Sequence, residues 1–126
     1  MKVCKFGGTS VGTVERMKHV ATLSKDATPK IVVLSATAGT TNHLEEIAAN
    51  LFNREIEQAH DRITRLEFQF IEFANGLLTY EKLKREAIDY ILDRFQQLWK
   101  FTKNSFTSVE EKEVLAQGEL ISTALM

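Results

Sequence analysis

The sequence predicts an α/β fold in which a parallel βαβ unit is followed by a long α-helical hairpin. Two short apolar runs, residues 2–6 and 30–36, read as strands, the second rich in β-branched residues. Helical spacing separates them between Thr13 and Leu23. From residue 54 to residue 103 the apolar positions step by three and four along two long helices.

Each element has its local reason. The run Ile31-Val32-Val33-Leu34 is continuous enough for a strand buried on both faces, as in a parallel sheet. In the first helix Val14, Met17, Val20 and Ala21 share one face, and Thr13 is placed to cap it. Pro29, the only proline, precedes the second strand, where its missing N–H does little harm. Strand, helix, strand implies a right-handed crossover. After "SATAGTTN" a helix is expected from about Asn42 to Phe52. Ile56, Ala59, Ile63, Leu66, Phe70 and Phe73 then line one face of a long helix, for which Asn75-Gly76 supplies a stop signal. Thr79 is the expected cap of the next helix, which runs to about Lys103 with Tyr80, Leu83, Ala87, Ile91, Phe95 and Leu98 inward. The two should pair antiparallel. Ser108 with Glu111 three residues on forms a capping-box signature for a last helix, still in apolar stride at Met126.

A chain of 126 residues with 44% hydrophobic and 26% charged content has the composition of an ordinary globular domain. Formal charge is −1 and no basic run stands out, which disfavours nucleic-acid binding by bulk electrostatics. Apolar runs of only a few residues exclude a helical bilayer span, so no membrane partner is expected. The single cysteine, Cys4, cannot form an intrachain disulfide and fits a reducing cytoplasmic setting. His19, His43 and His60 sit in unrelated segments without metal-ligand spacing, and no protein-held metal site is expected.

Three stretches carry candidate chemistry. Lys5-Phe6-Gly7-Gly8-Thr9-Ser10 puts a cation and bare backbone at the C-terminal end of the first strand, where α/β folds bind ligands. Glycines there let N–H groups turn towards an anion, and Lys5 can neutralise a phosphoryl group. A tight turn beside a solvated lysine is the alternative. No G-x-x-x-x-G-K-[ST] loop and no protein-kinase signature is present. Ser35-Ala36-Thr37-Ala38-Gly39-Thr40-Thr41-Asn42 is small and hydroxylated, suited either to a ligand or to helix capping by Thr41 and Asn42. Gly118 in Gln117-Gly118-Glu119 costs its helix about 1 kcal/mol relative to alanine, so another element or a ligand must come close.

"KFGGTSV", "VVLSATAGTTN" and "GELISTAL", in this order and at these separations, resemble the aspartate kinases of the amino acid kinase family. The resemblance spans residues 1–126, and the helical hairpin between the second and third motifs looks like the lysine-sensitive or bifunctional branch. It implies part of an amino acid kinase-type parallel-sheet sandwich: motifs at 1–53, an inserted helical hairpin at 54–103, and a motif-bearing helix at 108–126. It also implies ATP-dependent phosphorylation of the L-aspartate β-carboxylate, with Mg2+ assisting. Lys5 would meet the transferring phosphoryl, and Gly7, Gly8, Thr9 and Ser10 the ATP phosphates. Ser35, Thr41 and Glu119 would bind L-aspartate. Family members are several times longer, so the chain is expected to be an N-terminal part of the catalytic domain, inactive alone and prone to homo-oligomerise. Another small-molecule kinase of the same family and a non-catalytic helical interaction module are the rival expectations.

Overall fold

The computed structural model describes residues 1–126. Strand β1 (Lys2–Phe6) leads into a 3-10 turn over Gly8–Val11 and helix α1 (Val14–Ser24), which returns the chain to strand β2 (Lys30–Leu34). The strands are parallel, with Lys2 opposite Lys30 and Phe6 opposite Leu34. Helices α2 (Thr40–Phe52), α3 (Ile56–Leu77), α4 (Glu81–Phe101) and α5 (Ser108–Leu125) follow. The expected βαβ unit and antiparallel long helices are thus present, in a molecule that is mostly helical around a small two-stranded sheet.

The helices close on themselves. Helix α3 packs on α4 and α2, while α5 packs on α2 and α4, so the hairpin completes a four-helix cluster. Ala59, Ile63, Leu66, Phe70 and Ala74 of α3 and Ile91, Phe95 and Leu98 of α4 are buried, at the spacing read from sequence. The Phe70 and Phe95 rings meet tilted at 6.0 Å between centroids, a favourable aromatic geometry. Val11, Met17, Val20 and Leu34 carry the same core under the sheet.

Sheet alternation decides what remains open. Phe6, Val32 and Leu34 turn to the core, whereas Val3, Ile31 and Val33 stand on the other face at 66%, 49% and 43% exposure. Lys5 lies on that open face, opposite Val33 in the register. The continuous apolar run of β2 therefore has one uncovered side, contrary to a strand buried on both faces.

Several local expectations need correction. Gly76 does not stop α3, which runs through to Leu77 and ends on an extended Leu78. A Cβ on Gly76 would lie 3.3 Å from Val14 Cγ2, so this glycine serves the approach of α1. The N-cap of α4 is Tyr80 rather than Thr79, and it makes no side-chain cap bond. Tyr80 is 73% exposed and Leu83 45%, so the inner face expected for α4 is not covered at its N-terminal end. The capping box sits one residue earlier than Ser108 and Glu111. Thr107 accepts from Val109 N at 3.3 Å, and Glu110 accepts from Thr107 N at 2.9 Å. The Thr107 hydroxyl beside it holds the Glu110 carboxyl below its ordinary value. Thr13 caps α1 as expected, accepting from Arg16 N at 3.2 Å.

Candidate functional site

β1 delivers Lys5 and Phe6 to the head of the glycine loop. Gly7 is extended, with φ −74° and ψ 170°, a conformation open to any residue. A Cβ added to it would meet nothing within 4 Å. Neither a turn nor packing requires glycine at this position, and the space before it is open. Gly8 is constrained differently, since its Cβ would stand 2.9 Å from the Ala36 carbonyl oxygen. The 3-10 turn that follows was not legible in the sequence. Its flanking bonds run from Ser10 N to Gly7 O at 3.0 Å and from Gly12 N to Thr9 O at 3.5 Å. Gly8 N and Thr9 N take no part in those two bonds. Buried Val11 anchors the far end.

The second motif docks on the first. Ser35 N donates to Phe6 O at 3.1 Å, extending the strand pairing by one bond. Buried Ala36 then lies against Gly8 on one side and Gly118 on the other. Gly39 adopts φ 83°, a left-handed conformation that glycine tolerates best, and opens α2 at Thr40. This corrects the capping expectation for Thr41 and Asn42, which stand exposed inside the first helical turn. The turn is closed instead by a buried hydroxyl pair, Thr37 Oγ1 to Thr40 Oγ1 at 2.6 Å. Sequence reasoning missed that pair; its only trace was the T-x-x-T spacing ahead of a helix.

Helix α5 brings the third motif. A Cβ on Gly118 would lie 2.8 Å from Ala36 Cβ, 3.2 Å from Thr40 Cγ2 and 3.3 Å from Leu44 Cδ1. The close neighbour anticipated there is another element of the chain. Glu119, the next residue, is exposed.

Three segments distant in sequence therefore converge on Ala36, and two of the contacts exist only because glycine lacks a side chain. Gly8 and Gly118 both meet Ala36, the residue that follows Ser35. Thr41 and Glu119 each sit one residue past a contact residue, Thr40 and Gly118. None of the ion pairs uses Lys5 or Glu119, so neither charge is spent inside the chain.

The family model described as the amino acid kinase family matches residues 1–126. The chain belongs to the amino acid kinase family. It is 35% identical over 124 residues to the lysine-sensitive aspartokinase 3 of Escherichia coli (strain K12), covering 98% of this chain and 27% of that protein. It is also 52% identical over 44 residues to the aspartokinase of Chlamydia trachomatis serovar D, 35% of this chain and 10% of that one. Among solved structures it resembles E. coli aspartokinase III in complex with lysine and aspartate, with TM-score 0.74 and 28% identity. The complex of that enzyme with aspartate and ADP gives TM-score 0.70 and 32% identity. Each likeness covers 99% of this chain and 27% of the solved one. The chain thus spans about a quarter of the length of these relatives, and its architecture matches the N-terminal part of the aspartokinase fold. No helix is long and apolar enough to cross a membrane.

Proposed function

We propose that this chain carries the phosphate cradle and much of the amino-acid site of an aspartate kinase. The reaction transfers the γ-phosphoryl group of ATP to the β-carboxylate of L-aspartate, giving 4-phospho-L-aspartate on the way to lysine, threonine and methionine. The observation that carries the reading is Gly7. With an ordinary φ and nothing near its absent Cβ, it is a glycine whose reason lies outside the chain. That argues against the tight-turn alternative and for a ligand against the backbone. Family membership and structural neighbours crystallised with aspartate and with ADP support the same reading.

The chemistry needs little beyond charge and position. A carboxylate must approach an anionic triphosphate, so repulsion is the principal obstacle. Gly7 and Gly8 present backbone N–H groups, Thr9 and Ser10 add hydroxyls, and the Lys5 ammonium draws charge off the transferring group. Mg2+ would arrive on the nucleotide phosphates and add to that neutralisation. Ser35 and Thr41 supply short hydroxyls for aspartate, and Glu119 a carboxylate for its ammonium. The nucleophile is already ionised at neutral pH, so no general base is required.

Steady-state kinetics test this in a polypeptide that carries the chain within a whole catalytic domain. Glu119→Gln should raise the aspartate KM and leave ATP affinity nearly unchanged. Losing a charge-assisted hydrogen bond is worth about 1.5–3 kcal/mol, or roughly ten- to a hundredfold. An unchanged aspartate KM would remove Glu119 from the site.

We also propose a cytoplasmic setting and a homo-oligomer. Exposed Val3, Ile31 and Val33 form an apolar sheet face, and the β1–β2 sheet has two unpaired edges, features that promote association. Sedimentation of the 126-residue chain should show species above the monomer; a monomer at all concentrations would refute the assembly.

A further inference from the structure

We infer that Arg16 is a positioning residue, a clamp on helix α1 that holds the glycine loop in the shape required for phosphate capture. The inference rests on the phosphate-cradle reading of that loop. Arg16 Nη1 donates to the Thr9 carbonyl at 2.9 Å. The turn's own donor to the same oxygen, Gly12 N, is stretched to 3.5 Å. A charged guanidinium makes the stronger bond even at equal distance, so Arg16 fixes this carbonyl.

The loop needs such a tie. It begins with two glycines, whose backbone loses more freedom on ordering than any other residue. Gly7 offers no side chain to cap the turn. Between β1 and α1 the loop is also held by the bond from Ser10 N to Gly7 O, by buried Val11 and by the packing of Gly8 against Ala36, none of which ties the Thr9 carbonyl to α1.

Arg16 is well placed for the task. Its own N–H is the one that Thr13 caps, so the side chain departs from a fixed first turn. Arg16 also lines an open cleft of about 590 Å³ with Thr9, Ser10 and His19, and no carboxylate shares that lining. No ion pair draws the guanidinium away from the loop. Its charge therefore stays beside Thr9 and Ser10 of the cradle.

The experiment uses the 126-residue chain, with amide exchange and Mg·ATP titration followed by NMR for wild type, Arg16→Ala and Arg16→Lys. Arg16→Ala should speed exchange at Ser10 and Gly12 about fivefold, the upper range for an exposed charged contact. Mg·ATP affinity should fall by a similar factor, while aspartate-induced shifts at Thr41 and Glu119 stay as in wild type. Arg16→Lys keeps a cationic donor and should restore most of both losses. Wild-type exchange in Arg16→Ala would overturn the clamp. So would a variant in which the aspartate response falls as far as the nucleotide response, since that is general loosening. A wild-type chain indifferent to Mg·ATP would defeat the cradle reading separately, and exchange at Gly12 would still judge the clamp.

Discussion

Lys5→Ala, made in a polypeptide with a whole catalytic domain, should lower kcat by about 10²–10³ and leave the aspartate KM nearly unchanged. The size follows from where the charge stands. Lys5 is the last residue but one of β1, two residues ahead of Gly7, and no carboxylate in the chain pairs with it. A structural lysine at a strand end would be neutralised by a neighbour or turned along the helices. This one shares an open sheet face with Val3, Ile31 and Val33, where an ammonium gains nothing from the fold. Under the proposed function, its use is to meet charge that develops during the reaction. Interactions stronger in the transition state than in the ground state act on kcat, and those equal in both act on KM. Lys5→Arg should recover only part of the rate, because a planar guanidinium cannot replace a compact point charge. Wild-type kcat in Lys5→Ala would return Lys5 to an ordinary surface charge.

What the sequence disclosed, and what it concealed, follows the range of the forces involved. The two strands, the crossover helix and the long helices were legible because their apolar periods are local, as in Ala59, Ile63, Leu66 and Phe70. The two glycines that misled or surprised depend on partners far along the chain. Gly76 looks like a stop signal within a window of ten residues, yet its reason is Val14, on another helix. Gly118 announced a close approach, but nothing local could name Ala36 as the neighbour. The inner face drawn for α4 failed at Tyr80 and Leu83 because periodicity marks a stripe without saying which of its positions a partner covers. Thr107 and Glu110 show the smaller error typical of helix ends, where two adjacent hydroxyls offer equivalent caps. At the site, residue types and order were readable as motifs. Their convergence on one buried alanine was not, since it is made by tertiary contact.

That convergence sets the sign of a stability change that simple propensity would reverse. Replacing an interior helical glycine by alanine normally stabilises a helix by about 1 kcal/mol. At Gly118 the new methyl would lie 2.8 Å from Ala36 Cβ, and neither atom is the free end of a flexible side chain. Ala36 cannot retreat, because its carbonyl oxygen is already held against Gly8 and its side chain is buried. Overpacking of this kind costs about 1–3 kcal/mol, so Gly118→Ala should come out destabilising rather than stabilising. Gly118→Val, with little propensity gain and two more carbons facing Thr40 and Leu44, should lose more, about 3 kcal/mol or above. Ala36→Gly in the Gly118→Ala background removes the colliding methyl and should recover part of the loss, a coupling that a double-mutant cycle measures directly. Thermal or urea unfolding of the four chains gives the cycle. If Gly118→Ala raised stability and showed no coupling to position 36, the three motifs would not meet as described. Coupling of the expected sign has a functional corollary: moving Ala36 moves Ser35 and presses on Gly8, so Gly118→Ala should weaken aspartate and nucleotide binding together.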